Sequence, residues 1–338
     1  MKRKFFSLMF LLVCFSLVLS VFVFAFVTYR DKSISANAKV EIRQSSVLIL
    51  GLDEAADNTD VIMVARIDNG AEASLLQIPR DTYIKNEFGE GKVNRLYRLY
   101  TQKYGMRTGM DKLMSCLSST LSIPLDFYAV FTGQNLTDLV DTVGGVTLCV
   151  PHAFTYVDSF GKTKSLLKGE RHLDGETALA YVRYRAGYVE GDLGRLDAQM
   201  RFAAALLKRI FEEKSIRTYW QIYQKNYRKL LTNVEEKDII SLITMYVKSA
   251  DSLSVKLMRL PGEALRDEGG AWYYVLNKRG TSEMLFSYFL GASPNDFDKD
   301  RRFLKENVLA YENVYYAKRY DSRIYTLDEA SRAEVLHK

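Results

Sequence analysis

The stretch SVLILGLD, residues 46–53, decides the fold that this sequence predicts. It is a short, continuously apolar run that ends in a glycine and an acidic residue, which is typical of a strand buried on both faces of a sheet. Two further β-rich runs follow, VIMVARID (61–68) and ASLLQIP (73–79), and they flank the turn signal Asp68-Asn69-Gly70. The turn predicts that these two runs form an antiparallel hairpin.

Helices and strands alternate through the rest of the chain. Helical periodicity covers residues 93–104, 109–121, 135–143, 195–213, 217–231, 236–249 and 281–290, and Asp174 can cap a helix that runs to about Arg183. Further strands are predicted at 127–131, 146–150, 254–260 and 272–276. The interleaved order predicts an α/β fold whose sheet is mixed, because the 61–79 hairpin must be antiparallel.

Residues 5–27 form an apolar run of 23 residues without a charge, a glycine or a proline. A helix of that length spans about 35 Å, which is enough to cross a membrane and longer than the apolar part of a cleaved signal peptide. The basic residues 2–4 before it predict a cytoplasmic N-terminus and an extracellular domain. We therefore expect a stub (1–4), a transmembrane signal-anchor helix (5–27), a stalk (28–45), one extracellular domain (46–292) and a C-terminal tail (293–338).

The composition excludes several classes of protein. With 48% apolar residues and only five prolines, the chain is neither disordered nor fibrous. The formal net charge is +6, and Lys2, Arg3 and Lys4 supply half of it, so the charge gives no indication of a nucleic-acid partner. Three scattered cysteines and three histidines indicate neither a disulfide framework nor a zinc site.

Two acidic residues lie where the first strands end and begin. Asp53 directly follows the run 46–52, and Asp60 opens the next strand. Two carboxylates at one end of a sheet can bind Mg²⁺ and leave coordination positions for phosphate oxygens. Taken alone, such loop acids are more often turn or capping residues.

Several arginines also lie at the ends of predicted elements. Arg80 and Asp81 follow a strand, whereas Arg183 and Arg185 in YVRYR would share a site only if the helix ended between them. Arg195 and Gln199 are spaced to share one helix face. Each group can instead be a surface ion pair or a solvated helix face, and the sequence spacing does not show whether the arginines meet.

Taken together, these motifs resemble the LytR-CpsA-Psr family over about residues 46–212. The resemblance lies in VLILGLD with Asp60, SLLQIPRDTY, KVNRLY, FYAVFTGQNLTDLVDTVGGVTLCVP, LDGETALAYVRYR and GDLGRLDAQ, in this order. It implies an α/β/α sandwich behind one membrane span. It also implies an extracellular phosphotransferase that moves an anionic glycopolymer, such as a teichoic acid or capsule polymer, from polyprenyl pyrophosphate to a hydroxyl of peptidoglycan.

The resemblance also assigns roles to residues of this chain. It implies that Asp53 and Asp60 bind Mg²⁺, that arginines and one glutamine bind the pyrophosphate, that Asp81 has a positioning role, and that Asn94 belongs to the substrate site. The implied pyrophosphate-binding residues are Arg80, Arg183, Arg185, Arg195 and Gln199. The chain departs from the family at Asn58, where an arginine is usual, and at Ala198 and Met200, where polar residues usually flank the glutamine.

The implied chemistry leaves alternatives open. Asp53 or Asp81 could accept the proton of the attacking hydroxyl. Two apolar helix stripes could line a lipid channel or pack as ordinary core: Leu196, Met200, Ala203, Leu207 and Ile210, and Leu113, Leu117 and Leu121. Besides the transferase, a non-catalytic polyprenyl-pyrophosphate binder or cell-wall regulatory protein fits the sequence, as does a membrane-tethered pyrophosphatase.

Overall fold

A six-stranded mixed sheet forms the centre of the domain. The structure, a computed structural model, describes residues 45–68, 72–188, 191–212, 230–235, 254–289 and 324–332. The spatial order of the strands is β11-β6-β1-β2-β3-β12. Their bounds are β1 Ser45–Leu52, β2 Thr59–Asp68, β3 Glu72–Gln77, β6 Phe127–Phe131, β11 Leu231–Thr232 and β12 Ser254–Arg259.

The strand directions follow the sequence prediction. β2 pairs antiparallel with both β1 and β3, so the predicted hairpin is confirmed. β6 and β12 pair parallel with β1 and β3, which makes the sheet mixed, as expected. Because β1 and β3 end at the edge where β2 begins, the residues after β1 and β3 meet those that open β2.

Helices cover both faces of the sheet and give three layers. The helices of the described residues are α1 Leu96–Tyr104, α2 Met106–Leu121, α3 Gly133–Thr142, α4 Gly175–Arg183, α5 Asp192–Glu212, α6 Lys278–Met284 and α7 Leu327–Arg332; a short 3₁₀ turn, Val93–Arg95, precedes α1, and α6 continues as a π-helix, Leu285–Phe289. None of the helices in these ranges is long and apolar enough to cross a membrane.

Alternating residues of β1 face two separate hydrophobic cores. Val47 and Ile49 pack with α3, α4 and α5 on one face, whereas Leu48 and Leu50 pack with α1 and α2 on the other. The two apolar stripes considered above are therefore divided by the sheet: that of α5 lies on the first face and that of α2 on the second. A single lipid channel lined by both stripes is excluded.

Four short two-stranded sheets surround this centre. They are β4 Tyr83–Asn86 with β5 Gly89–Lys92, β7 Val146–Val150 with β10 Gly169–Leu173, β8 Phe154–Val157 with β9 Thr163–Leu166, and β13 Gly262–Arg266 with β14 Trp272–Leu276. Of these strands, only β7 and β14 are predicted from the sequence. A parallel bridge between Thr82 and Tyr274 joins the β13–β14 hairpin to the chain just before β4.

Part of the expected C-terminal tail belongs to the domain. Tyr325 exchanges backbone hydrogen bonds with Leu257 of β12, and Ala330 of α7 is fully buried in the first core. Lys208 of α5 forms an ion pair with Asp328. The expected stub, membrane span and stalk, and the predicted helices 217–231 and 236–249, lie outside the described residues apart from Ser45 and residues 230–231.

Candidate functional site

A β-bulge positions Asp60 at the edge of the sheet. Gly51 pairs with Val61, but the next residue, Leu52, pairs with Thr59, so Asp60 is the extra residue that no partner opposes. A bulge bends a strand and redirects the side chain of its extra residue. Its side chain therefore projects beyond the regular ladder, toward the residues that follow β3.

The Asp60 carboxylate lies in a group of charged side chains that we call the arginine cluster. Its members are Asp60, Arg80, Arg185, Asp192 and Arg195. Nη1 of Arg80 lies 2.5 Å from Oδ1 of Asp60, and its Nε donates to Oδ2 of Asp192 at 3.2 Å. Oδ1 of Asp192 lies 2.7 Å from Nη2 of Arg195 and 3.8 Å from Nε of Arg185. Asp192 thus bridges three guanidinium groups, of which that of Arg80 comes from a distant part of the chain.

The cluster has a surplus of one positive charge, because it contains three arginines and two carboxylates. Burial lowers the pKa of Arg80, yet Asp192, Asp60 and Asp81 outweigh this effect and raise the pKa above its ordinary value. For Arg195, whose side chain is 6% exposed, burial dominates and lowers the pKa despite Asp192. Because three arginines face two carboxylates, an anion added here would be attracted.

Helix α4 ends at Arg183, and this end between the two arginines is the condition for Arg183 and Arg185 to point to the same region. The helix closes at Arg183, and the next residue, Tyr184, has extended ψ, so Arg185 leaves the helical direction. Nη1 of Arg183 lies 2.6 Å from Oε1 of Glu54. A Cβ on Gly133 would lie 2.7 Å from Nη2 of Arg183, so only glycine leaves the arginine this position.

The Asp53 turn, residues 53–58, is held by hydrogen bonds of Asp53 within the turn rather than by contacts of Asp53 with the arginine cluster. The Asp53 carboxylate accepts from the backbone N–H of Asp57 at 3.0 Å and from Nδ2 of Asn58 at 3.2 Å. Ala56 has φ of 56°, in the left-handed region that glycine normally occupies. Asn58, the departure from the family pattern, therefore binds Asp53 and holds the turn.

Asp81 and Asn94 lie beside the cluster. Oδ1 of Asp81 forms an ion pair with Nζ of Lys92 at 3.1 Å, and its backbone carbonyl accepts from Tyr274. The backbone of Asn94 donates to Arg80 and accepts from Thr59, so it joins the segments that carry Arg80 and Asp60. These contacts give Asn94 a positioning role in the structure.

Three amide oxygens around the site are buried and have no hydrogen-bond partner within the part of the chain that the structure describes. They belong to Asn58, Asn94 and Gln199. Gln199 lies one turn after Arg195 on α5, as predicted, and is 4% exposed. Unpaired buried acceptors are rare and indicate that a donor, a water or an ion belongs beside them.

The residues present are compatible with Mg²⁺. The described residues contain no group of three acidic, histidine or cysteine side chains that could hold a metal. Mg²⁺, however, commonly takes one or two carboxylates and completes its shell with water and substrate phosphates. Asp53 and Asp60 lie on either side of one turn, and the unpaired side-chain oxygen of Asn58 is beside Asp53. These groups meet that requirement.

Most of the predicted site residues thus lie at one edge of the sheet. Asp60 contacts Arg80 and Arg195 directly, whereas Arg185 joins them through Asp192. Arg183 reaches the Asp53 turn, and Asp81 adjoins Arg80 in sequence. Sequence reasoning missed Asp192 and Glu54. Asp192 stands in the motif GDLGRLDAQ three residues before Arg195, a helical spacing that could have identified it.

The chain is similar in sequence to a known family and to characterised relatives. The LytR_cpsA_psr family model matches residues 26–287. The teichoic acid transferase TagU of Bacillus mycoides is 27% identical over 252 residues, which cover 72% of this chain and 79% of that protein. TagV of Bacillus subtilis, named as the same transferase, is 28% identical over 243 residues, 67% of this chain and 60% of the relative.

Solved structures share the fold. The protein gbs0355 of Streptococcus agalactiae superposes with a TM-score of 0.65 at 24% identity, covering 81% of this chain and 94% of that one. TagT bound to LIIa-WTA superposes with a TM-score of 0.55 at 25% identity, covering 75% and 91%. Because the family match spans more than half of the sequence, this chain belongs to the LytR_cpsA_psr family.

Proposed function

We propose that the protein is a transferase that moves an anionic glycopolymer, such as a teichoic acid, from a polyprenyl-pyrophosphate carrier to a hydroxyl of peptidoglycan. The observation that carries the proposal is the arginine cluster, in which three guanidiniums converge on two carboxylates at the sheet edge. Relatives that share the family are named as teichoic acid–peptidoglycan transferases, and TagT binds LIIa-WTA.

The arginines suit a pyrophosphate diester because its two phosphates carry the charge that must be neutralised before the carrier can leave. Arg80, Arg185 and Arg195 would hold the phosphoryl oxygens through forked, charge-assisted hydrogen bonds. The acceptor hydroxyl forms a bond with the phosphorus that carries the polymer, and the bond from that phosphorus to the bridging oxygen breaks. Polyprenyl phosphate leaves with the bond's electron pair, and the hydroxyl proton passes to a carboxylate.

Asp53 and Asp81 are the candidate acceptors of that proton. Asp53 is engaged by two donors of its own turn, and Asp81 by Lys92. In an assay of transfer, Asp53→Asn and Asp81→Asn separate the two, because loss of the proton acceptor removes the acidic limb of the pH profile.

Mg²⁺ is the cofactor of the proposal, with Asp53 and Asp60 as its protein ligands. When bound, the cation would neutralise phosphate charge next to the arginines. Calorimetric titration of Mg²⁺ in the presence of inorganic pyrophosphate tests this without turnover. Asp60→Asn and Asp53→Asn should each weaken Mg²⁺ binding, and unchanged affinity in both would refute the two-acid site.

The proposed location is the extracellular face of the cell membrane, with residues 5–27 as the anchor. The uncharged apolar run and the basic residues before it support this orientation. Protease treatment of intact cells should degrade the domain of the full chain, while sodium carbonate extraction should leave the protein in the membrane. Release by carbonate would refute the anchor.

The function is tested with the full chain, a lipid-linked teichoic acid precursor and peptidoglycan. Transfer predicts polymer attached to peptidoglycan in equal amount to the polyprenyl phosphate released. Release without attachment would identify a pyrophosphatase, and binding without release a non-catalytic carrier-binding protein. The matched control for the cluster arginines is Arg171→Ala. Arg171 is half-buried, and its side chain donates to the backbone carbonyls of Leu167 and Lys168.

A further inference from the structure

The β8–β9 hairpin holds two large apolar side chains in solvent at its tip. Phe160 is 88% exposed and Val157 is 66% exposed, and Phe160 is the most exposed large apolar residue in the described ranges. The exposed cation Lys162 follows them in the same turn. Exposed apolar side chains that occur together, rather than singly, mark a surface that contacts something else.

The turn between the two strands is tightly fixed. The buried carboxylate of Asp158 accepts from the backbone N–H groups of Phe160 at 3.0 Å and Lys162 at 2.8 Å, and Lys164 forms an ion pair with it at 3.2 Å. The N–H of Ser159 donates to Oε1 of Glu176 in α4 at 2.7 Å. The exposure of the phenyl ring is therefore a property of an ordered turn, although burying such a ring would stabilise the fold by about 2 kcal/mol.

Contacts with α4 show which way the hairpin points. The ring of Phe154 stacks on Tyr184 just beyond the C-terminal end of α4, at 3.9 Å between ring centroids. Further along β8, the hydroxyl of Tyr156 lies 3.0 Å from that of Thr177, in the first turn of α4. The tip therefore points away from Arg183 and the arginine cluster, toward the N-terminal end of α4.

That end of α4 coincides with the end of the sheet where β1 begins. The N–H of Gly175 donates to Asp141 at the end of α3, which runs back along the sheet from the C-terminal end of β6. Because β6 is parallel to β1, the hairpin tip and Ser45 lie toward the same end of the domain. Only 17 residues, 28–44, separate the apolar run 5–27 from Ser45, a span of at most about 60 Å.

We propose that the tip of the β8–β9 hairpin inserts Val157 and Phe160 into the interfacial region of the membrane, with Lys162 at the level of anionic headgroups. Aromatic rings partition into this region, and a nearby lysine adds electrostatic attraction to acidic lipids. The inference rests on the proposed anchor, which tethers this end of the domain within at most about 60 Å of the bilayer.

Fluorescence quenching by brominated lipids tests the inference in the full chain reconstituted in vesicles of phosphatidylcholine and phosphatidylglycerol. The two native tryptophans are first removed by Trp220→Phe and Trp272→Phe, and one indole is introduced at a time. Phe160→Trp probes the tip, Leu17→Trp probes the anchor, and Leu167→Trp is the matched control. Leu167 is 58% exposed but follows the base of the same hairpin, beside the Phe154–Leu166 pair.

Bromines near the glycerol end of the acyl chains should quench about half of the emission at position 160 and leave position 167 almost unchanged. Quenching at position 17 without quenching at position 160 overturns the inference and leaves the anchor intact. Equal quenching at 160 and 167 also overturns it, because the contact would not be specific to the tip. No quenching at position 17 refutes the anchor and the inference together. Transfer by the same vesicles reports the proposed function separately.

Discussion

The arginine cluster and the Asp53 turn stand side by side at one sheet edge, yet they hold their charges differently. In the cluster, Arg195 is 6% exposed and each carboxylate serves at least two arginines. In the turn, Glu54 is 81% exposed and its contact with Arg183 is a single ion pair. One half of the site is thus fixed by shared contacts that are largely buried except at Arg185, which is 57% exposed, and the other half by solvent-exposed contacts.

This difference indicates which half of the site can be changed without loss of stability. Removing one partner from a buried charge network leaves an uncompensated charge, whereas a solvent-exposed ion pair contributes about 0–1 kcal/mol. The cluster therefore couples binding to folding. The Asp53 turn can exchange its partners when an anionic ligand arrives.

The largest expected effect is that of Asp192→Asn. It removes the carboxylate that Arg80, Arg185 and Arg195 share, and we expect it to lower the free energy of unfolding by about 3 kcal/mol. Urea denaturation measures the change, and added inorganic pyrophosphate should restore part of it by replacing the lost negative charge. Asp57→Asn, in the exposed turn, is the control. Equal losses in the two variants would contradict the distinction between the halves.

Arg183→Ala should separate function from stability. If Arg183 binds the pyrophosphate, as the family resemblance implies, we expect transfer to fall about 100-fold, because one charge-assisted hydrogen bond to phosphate is lost. The unfolding free energy should change by less than about 1 kcal/mol. Arg195→Ala should lower both. Turnover and thermal melting of the two variants measured together check this, and a stable, fully active Arg183→Ala protein would remove Arg183 from the anion site.

Glu54→Gln should tighten binding of pyrophosphate, because the carboxylate of Glu54 competes with phosphate for Arg183. The gain should be at most about fivefold at low salt and should shrink as ionic strength rises. Calorimetric titration with inorganic pyrophosphate measures it. Asp57→Asn changes the same charge in the same turn without freeing Arg183, so a similar gain there would assign the effect to net charge alone.

The smallest effect concerns the backbone of the Asp53 turn. Ala56→Gly should raise the unfolding free energy by about 0.5 kcal/mol, since relief of the left-handed φ exceeds the entropy that glycine adds to the unfolded chain. Ala55→Gly, one residue earlier and without a positive φ, should lower it. Chemical denaturation of both variants decides, and the same sign in both would exclude backbone strain as the cause.

The central part of the fold is predictable because its signals are local. The apolar run of β1 and the Asp-Asn-Gly turn predict the hairpin and its direction. The β4–β5 and β8–β9 hairpins are missed because their strands have only four residues each, which is too short to establish a period-two pattern.

The spacing of the site residues in the sequence could not predict that they meet in the fold. Arg80 and Asp192 are 112 residues apart and meet only because β3 ends beside the start of α5. Asp192 resembles an ordinary acidic residue in the first turn of a helix, where it would favour the helix dipole in any protein. The resemblance to the family, rather than periodicity, brought the arginines into one hypothesis.

Because of the bulge at Asp60, the site depends on the number of residues at the start of β2 and not only on their identity. Deleting this single residue would let Thr59 continue the ladder with Leu52 after the Gly51–Val61 pair, which gives an uninterrupted hairpin. Such a protein would keep its buried strands and lose the carboxylate that meets Arg80. A deletion at the bulge would therefore remove the Asp60–Arg80 contact while the fold persists, so the length of the chain at this position, and not only its sequence, decides whether the site is complete.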